Sequence, residues 1–105
     1  MHSVFQVENC WRLDEDQWYV IGRALDDIKL GDILISAEEY VGTDDRDVVP
    51  NEMPESGAFI VSKITLHNKS MEFVSKGFTA GITLKGKSEL NKASRFYFKR
   101  PERHP

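Results

Sequence analysis

Alternation of apolar and polar residues along the chain predicts a protein built from short β-strands. Two early runs, 4–13 and 18–25, are rich in aromatic and β-branched residues, and each ends at a cluster of acidic residues. A third run begins at Ile33, and we expect it to reach Val41. Runs of this composition between turn residues are typical of strands.

The second half of the chain repeats this pattern. Residues 59–67 form an alternating run, which predicts a strand with Ile60, Ser62, Ile64 and Leu66 on one face. The other predicted elements are a turn at 68–70, a short apolar piece at 71–74, and strands at 79–85 and 94–99.

Two segments fall outside the strand pattern. Residues 42–56 are acidic, contain Pro50 and Pro54 and have Val48-Val49 as their main apolar content, so we predict a long surface loop. Residues 100–105 are expected to form a frayed basic tail. No long stretch repeats apolar residues with the helical period, so at most one or two short helical turns are expected.

Length and composition favour a single soluble domain over residues 1–105. A chain of 105 residues that is 40% hydrophobic and 30% charged suits one hydrophobic core. No apolar run approaches the ~18 residues of a membrane-spanning helix, and the start of the chain lacks the features of a signal peptide. The single cysteine, Cys10, cannot form an internal disulfide. We therefore expect a cytoplasmic protein without a membrane partner.

The net charge of −3 conceals a division along the chain. Residues 1–55 hold four basic and fourteen acidic side chains, whereas residues 56–105 hold ten basic and three acidic ones. One interpretation is a charged patch directed at a partner. The other is that strands from the two halves interleave in the fold, so that their charges neutralise one another.

Candidate catalytic and metal-binding chemistry is sparse. His2, His67 and His104 have no H-x-x-x-H or C-x-x-C spacing around them, and Cys10 is expected to be a packed thiol rather than a nucleophile. Residues 44–47 resemble a calcium-ligand set but lack the glycine and the distal glutamate of an EF-hand loop. These observations predict a protein that is not an enzyme and that has no metal or cofactor.

Two blocks of the sequence carry a family resemblance. The first is Gly22-Arg23 followed by 28–32, and the second runs from 64–69 through two glycines within 77–81 to 84–86. In this order and spacing they resemble the second domain of elongation factor Tu-like GTPases, the translation-protein β-barrel. The resemblance implies an all-β fold with a six- or seven-stranded Greek-key closed barrel.

At two positions the chain departs from the pattern of this family. That barrel helps to hold the aminoacyl end of tRNA, and an acidic side chain and an asparagine contribute to the pocket. The corresponding positions here are Thr65 and Thr79, so we expect no selective binding of aminoacyl-tRNA. No G-x-x-x-x-G-K-[ST] phosphate loop is present, so no bound nucleotide is expected.

The leading functional hypothesis is a small non-enzymatic module that binds another protein. Contact would be made through an exposed strand edge or through the acidic residues of the 42–56 segment, which suit a basic partner such as a toxin. Those acidic candidates are Asp44, Asp45, Asp47, Glu52 and Glu55.

The alternative hypothesis is an RNA- or ribosome-associated module. Its candidate contacts are Lys63, Lys69, Lys76, Lys85 and Arg95. A contiguous basic face with exposed aromatic rings would favour RNA, whereas mixed charge would favour a protein partner.

Overall fold

Every regular element in the described part of the chain is a β-strand. The computed structural model describes residues 3–40, 48–51, 59–87, 90 and 94–101, and it contains no helix in these ranges. The strands are β1 (Ser3–Asp14), β2 (Gln17–Ala24), β3 (Ile28–Lys29), β4 (Ile33–Tyr40), β5 (Val48–Asn51), β6 (Ile60–Leu66), β7 (Lys69–Met71), β8 (Phe73–Val74), β9 (Thr79–Lys85) and β10 (Arg95–Lys99). Within those same ranges, nothing helical is present that could cross a membrane.

Eight strands form one antiparallel sheet in the order β5-β4-β10-β1-β2-β9-β6-β7, and β3 pairs with β8 in a separate ribbon. Strand β4 makes a second pairing, with β6, where Ile33 lies opposite Ile60. Strands from the two halves of the chain are neighbours at β4–β10 and at β2–β9. The sheet therefore mixes the acidic and basic halves, as the interleaving interpretation predicts.

The hydrophobic core lies on one face of the long strands. Positions that alternate along each strand point into it, as with Phe96 and Phe98 of β10, whose rings meet edge-on at 6.4 Å. The largest fully buried side chains are Phe5, Phe59, Phe96, Phe98, Ile28, Leu34, Ile64, Ile82, Leu84, Val20, Val61 and Val74. The all-β fold and its longer strands are thus confirmed.

The predicted loop at 42–56 is wrong in part, because it contains β5. Val48 pairs with Tyr40 and Val49 with Glu39 at the end of β4. β-branched residues favour such pairing. β5 lies at the edge of the sheet, where a residue without an N–H, such as Pro50, is tolerated.

The prediction that Ile60, Ser62, Ile64 and Leu66 share one face of β6 is also wrong. Val61 and Ile64 are buried, while Ile60 and Ser62 are exposed. A register shift between Val61 and Lys63, where β6 pairs with β9, inserts one residue into the alternation. Such a bulge moves the following side chains to the other face, which strict alternation cannot anticipate.

The turn between β6 and β7 lies one residue earlier than predicted. His67 and Asn68 have φ angles of 50° and 64°, and Leu66 pairs directly with Lys69. Two consecutive residues with positive φ form the tight turn that suits the twist of a hairpin. Lys69 and Ser70 therefore belong to β7.

Gly31 and Gly77 have a left-handed backbone. Gly31 has φ +89° and Gly77 has φ +96°. No atom lies within 4 Å of the place where a Cβ on Gly31 would stand, so backbone conformation rather than space favours glycine there. Gly86 does not share this geometry, and instead its N–H donates to the Asp16 carbonyl at 2.9 Å.

A buried carboxylate joins the start of β4 to two other elements. Asp32 is 1% exposed, and its Oδ2 accepts a hydrogen bond from the Lys29 N–H at 2.9 Å. Its Oδ1 accepts from Arg100 Nε at 3.0 Å, and its backbone carbonyl accepts from the Val61 N–H at 2.9 Å. Arg100 is therefore held in place, which corrects its assignment to a frayed tail. Residues 102–105 lie outside the described residues.

We expect Asp32→Ala to lower the free energy of unfolding by about 2–3 kcal/mol, because it leaves the Lys29 N–H without its acceptor and Arg100 without its partner. Urea melts of the purified protein measure this. The control is Asp27→Ala, which removes an exposed carboxylate that accepts one hydrogen bond, from the Lys76 N–H at 2.9 Å. Equal losses in the two variants would contradict the structural role of Asp32.

Candidate functional site

A groove of about 630 Å³ lies on the outer face of β1, β2, β9 and β6. One row of paired residues crosses all four strands: Trp11 lies opposite Tyr19, Tyr19 opposite Thr83, and Thr83 opposite Lys63. All four of these side chains line the groove. Its residues come from distant parts of the chain and are brought together by the sheet.

One wall of the groove is apolar and comes from β1. Trp11 is 40% exposed and Leu13 is 50% exposed. The Trp11 ring lies 5.1 Å from the Tyr19 ring, with a tilt of 53° between them. Large rings that keep this much exposed surface are the residues most often found at the centre of binding interfaces.

The floor of the groove depends on a glycine, Gly81, which has no side chain. The Tyr19 ring lies over Gly81 of β9, and a Cβ at that position would overlap the Tyr19 hydroxyl. Gly81 does not have a positive φ, so close approach rather than backbone conformation favours glycine here. Gly81 thereby leaves room for the Tyr19 ring.

The opposite wall is positively charged. Lys63 of β6 lies opposite Thr83, and Lys85 stands two positions further along β9 on the same face. Diagonal neighbours of this kind have Cα atoms about 7–8 Å apart. Both lysines are exposed, and neither forms an ion pair with any residue in the described ranges. The bulge in β6 places Lys63 on this face.

The hairpin that carries Trp11 and Leu13 is fixed from its other side. Arg12 donates from Nε to the Asp14 carbonyl and from its terminal nitrogen to the Glu15 carbonyl, both at 2.9 Å. Its guanidinium lies 5.6 Å from the Trp18 ring centroid. These contacts order the β1–β2 turn and so hold the apolar wall in place.

Acidic residues lie at one end of the groove. The β1–β2 turn contains Asp14, Glu15 and Asp16, which line a neighbouring hollow of about 600 Å³ together with Lys87. Nowhere in the residues that the structure describes do three or more acidic, histidine or cysteine side chains form a group suited to a metal ion. The surroundings of the groove thus carry both signs of charge.

The structure brings together two of the five predicted RNA contacts. Lys63 and Lys85 line the groove, whereas Lys69 lies on β7, Lys76 precedes Gly77, and Arg95 begins β10. The predicted acidic contacts Asp44, Asp45, Asp47, Glu52 and Glu55 lie outside the described residues.

The two threonines at the pocket positions of the elongation factor Tu-like family have different surroundings. Thr65 of β6 lies opposite Gly81 and lines the groove. Thr79 begins β9, lies opposite Arg23 and does not line the groove.

The sequence did not single out the apolar wall. Trp11 and Leu13 lie in the predicted strand at 4–13 and Tyr19 in the one at 18–25, and none of the three is among the predicted contacts. The signal was present in the acidic turn at Asp14–Asp16, because a hairpin centred there pairs residue 11 with residue 19. Pairing alone still leaves open which face points outward.

Cys10 lies apart from this groove. It is half-buried, packs against the core, and lines a separate hollow with Val7, Trp18 and Leu90. Burial raises the pKa of its thiol to about 11. His67 lies at the β6–β7 turn, and β6 is not a neighbour of β1 in the sheet, so the structure does not bring this histidine beside Cys10.

Comparison with known proteins assigns no family to the chain. No model of a protein family matches the chain, and no curated protein matches it. The resemblance to the second domain of elongation factor Tu-like GTPases therefore stays a prediction.

We expect Gly81→Val to lower the free energy of unfolding by more than ~2 kcal/mol, because the new side chain overlaps the Tyr19 ring. In a Tyr19→Ala background the same change has room, so its cost should fall clearly below that value. Urea melts of the four proteins in this double-mutant cycle measure the difference. An equal cost in both backgrounds would show that Tyr19 is not the obstacle.

We expect iodoacetamide to modify Cys10 slowly at pH 8. A thiol with a pKa of about 11 holds roughly 100-fold less thiolate at this pH than a thiol with the ordinary pKa of 9.0. Mass spectrometry of timed samples, folded and in urea, measures the two rates. Equal rates would contradict the burial of this thiol.

Proposed function

We propose that this protein is a non-enzymatic binding module and that its partner is another protein docked in the groove. The observation that carries the proposal is the exposed pair Trp11 and Leu13 facing Lys63 and Lys85 across an ordered sheet. Aromatic anchors on a rigid scaffold, bordered by charged residues, are the usual anatomy of a protein interface.

Mixed charge favours a protein over RNA. The acidic turn at Asp14–Asp16 stands at the end of the groove, where it would repel a phosphate chain that continued past Lys85. Three of the five candidate RNA contacts lie outside the groove. The net charge of −3 also disfavours unaided binding to nucleic acid.

RNA binding remains the second candidate because of one feature. The rings of Trp11 and Tyr19 lie beside two lysines, an arrangement on which unpaired bases stack while phosphates meet the ammonium groups. This candidate requires a strand short enough to avoid the acidic turn.

We further propose that the sheet closes into a barrel of the translation-protein type. Support comes from β4, which pairs with β10 on one side and with β6 on the other, and from the two sequence blocks that resemble that family. We place the protein in the cytoplasm. A basic partner, such as a toxin held by the acidic residues between 44 and 55, stays a separate prediction.

Affinity capture from native lysate tests the proposed function. We expect the wild-type protein to retain a partner protein after nuclease treatment, and Leu13→Ser to reduce that retention by at least about tenfold, the effect of one lost anchor residue. The matched control is Leu30→Ser, since Leu30 is 42% exposed and lies outside the groove.

Two results would overturn this proposal. Loss of the captured partner on nuclease treatment would favour the RNA candidate. Equal retention by the Leu13→Ser and wild-type proteins would place the binding surface elsewhere. Melting curves of both serine variants establish that each is folded.

A further inference from the structure

We infer that the groove receives an extended segment of the partner protein in which acidic and apolar side chains alternate. This inference rests on the proposed function and adds the chemistry of the bound segment to it. It follows from the width of the groove, from the opposite character of its walls, and from the spacing of residues along each wall.

The width of the groove suits one extended chain. β1 and β6 are separated by β2 and β9, so their axes lie three strand spacings apart, about 14 Å at 4.7–4.9 Å each. The side chains of Trp11 and Lys63 narrow this space from both sides. A helix with side chains is about 10–12 Å across and would not reach the floor, whereas a single strand would.

The walls differ in what they attract. Trp11 and Leu13 offer apolar surface, while Lys63 and Lys85 offer two ammonium groups without ion pairs in the described part of the chain. Successive side chains of an extended segment point in opposite directions. A segment lying along the groove therefore places one set of alternate residues against each wall, and carboxylates complement the lysine wall.

The spacing of residues along the two walls matches the two-residue repeat of an extended chain. Alternate residues of a strand lie about 6.6–6.8 Å apart. Lys63 and Lys85 are displaced from each other along the strands by two residues, and Trp11 and Leu13 are two positions apart on β1. Two acidic residues at i and i+2 can therefore meet the two lysines, while apolar residues at i+1 and i+3 meet Trp11 and Leu13.

Fluorescence anisotropy with labelled peptides tests this inference. The probe has two Glu-Leu repeats flanked by Gly-Ser. The comparison peptides are a Glu-Glu-Leu-Leu block of the same composition and a probe with Lys in place of Glu. We expect the alternating probe to bind at least about tenfold more tightly than either, the scale of one lost charge pair or anchor.

Charge-reversal variants assign the binding to the lysine wall. We expect Lys63→Glu and Lys85→Glu each to weaken binding of the alternating probe by about tenfold or more, and Trp11→Ala to do the same. Matched controls are Lys69→Glu and Lys76→Glu, which make the same change at exposed lysines outside the groove and should leave binding within about twofold. Thermal melts confirm that each variant is folded.

Other occupants are distinct outcomes of the same experiment. Equal binding of the block peptide would overturn the alternating pattern. Tighter binding of an oligouridine of matched length would assign the groove to nucleic acid. A dimer by light scattering that Leu13→Ser converts to a monomer would assign it to a second copy of this chain. Failure of every peptide, with a captured partner that still depends on Leu13, would overturn this inference and leave the proposed function standing.

Discussion

The carboxylate of Asp32 is the interaction on which the arrangement of the strands depends. A buried carboxylate is costly unless its oxygens are bonded, and here one oxygen accepts from the Lys29 N–H and the other from Arg100. The same residue bonds β6 through Val61, and Gly31 beside it donates back to the Val61 carbonyl at 2.9 Å. Asp32 thus fixes the start of β4 against β6 through its backbone carbonyl and against the end of β10 through its carboxylate.

The groove depends on this junction because β6 forms its charged wall. The bulge between Val61 and Lys63 follows directly after the bonds between Val61 and the Gly31-Asp32 turn. It lets Val61 stay in the core while Lys63 turns outward. On β9, Ile82 and Leu84 are buried in the core, while on the other face Thr83 is covered in the floor of the groove and Lys85 is exposed. Core and groove are therefore the two faces of the same strands.

The sequence was sufficient for the long strands because alternation and turn residues are local signals. It was insufficient for β5, since Val48-Val49 become a strand through pairing with β4 rather than through their own composition. The bulge in β6 interrupts the alternation of the strand and leaves no periodic trace in the sequence. Local signals could not predict the groove. Its row of residues from Trp11 to Lys63 joins four strands, and which side chains point outward depends on how the opposite face of the sheet packs.

The acidic and basic halves of the chain each contribute charged residues to the groove and its end. The lysine wall comes from β6 and β9 of the basic half, while the acidic turn at its end comes from the β1–β2 hairpin of the acidic half. Interleaving of strands therefore does not erase the charges but sets them side by side. At physiological salt, charges further apart than about 8 Å are largely screened, so a partner responds more strongly to this local pattern than to the net charge of −3. A ligand with few, spaced carboxylates can pair with both lysines, whereas a long polyanion would also have to pass the acidic turn.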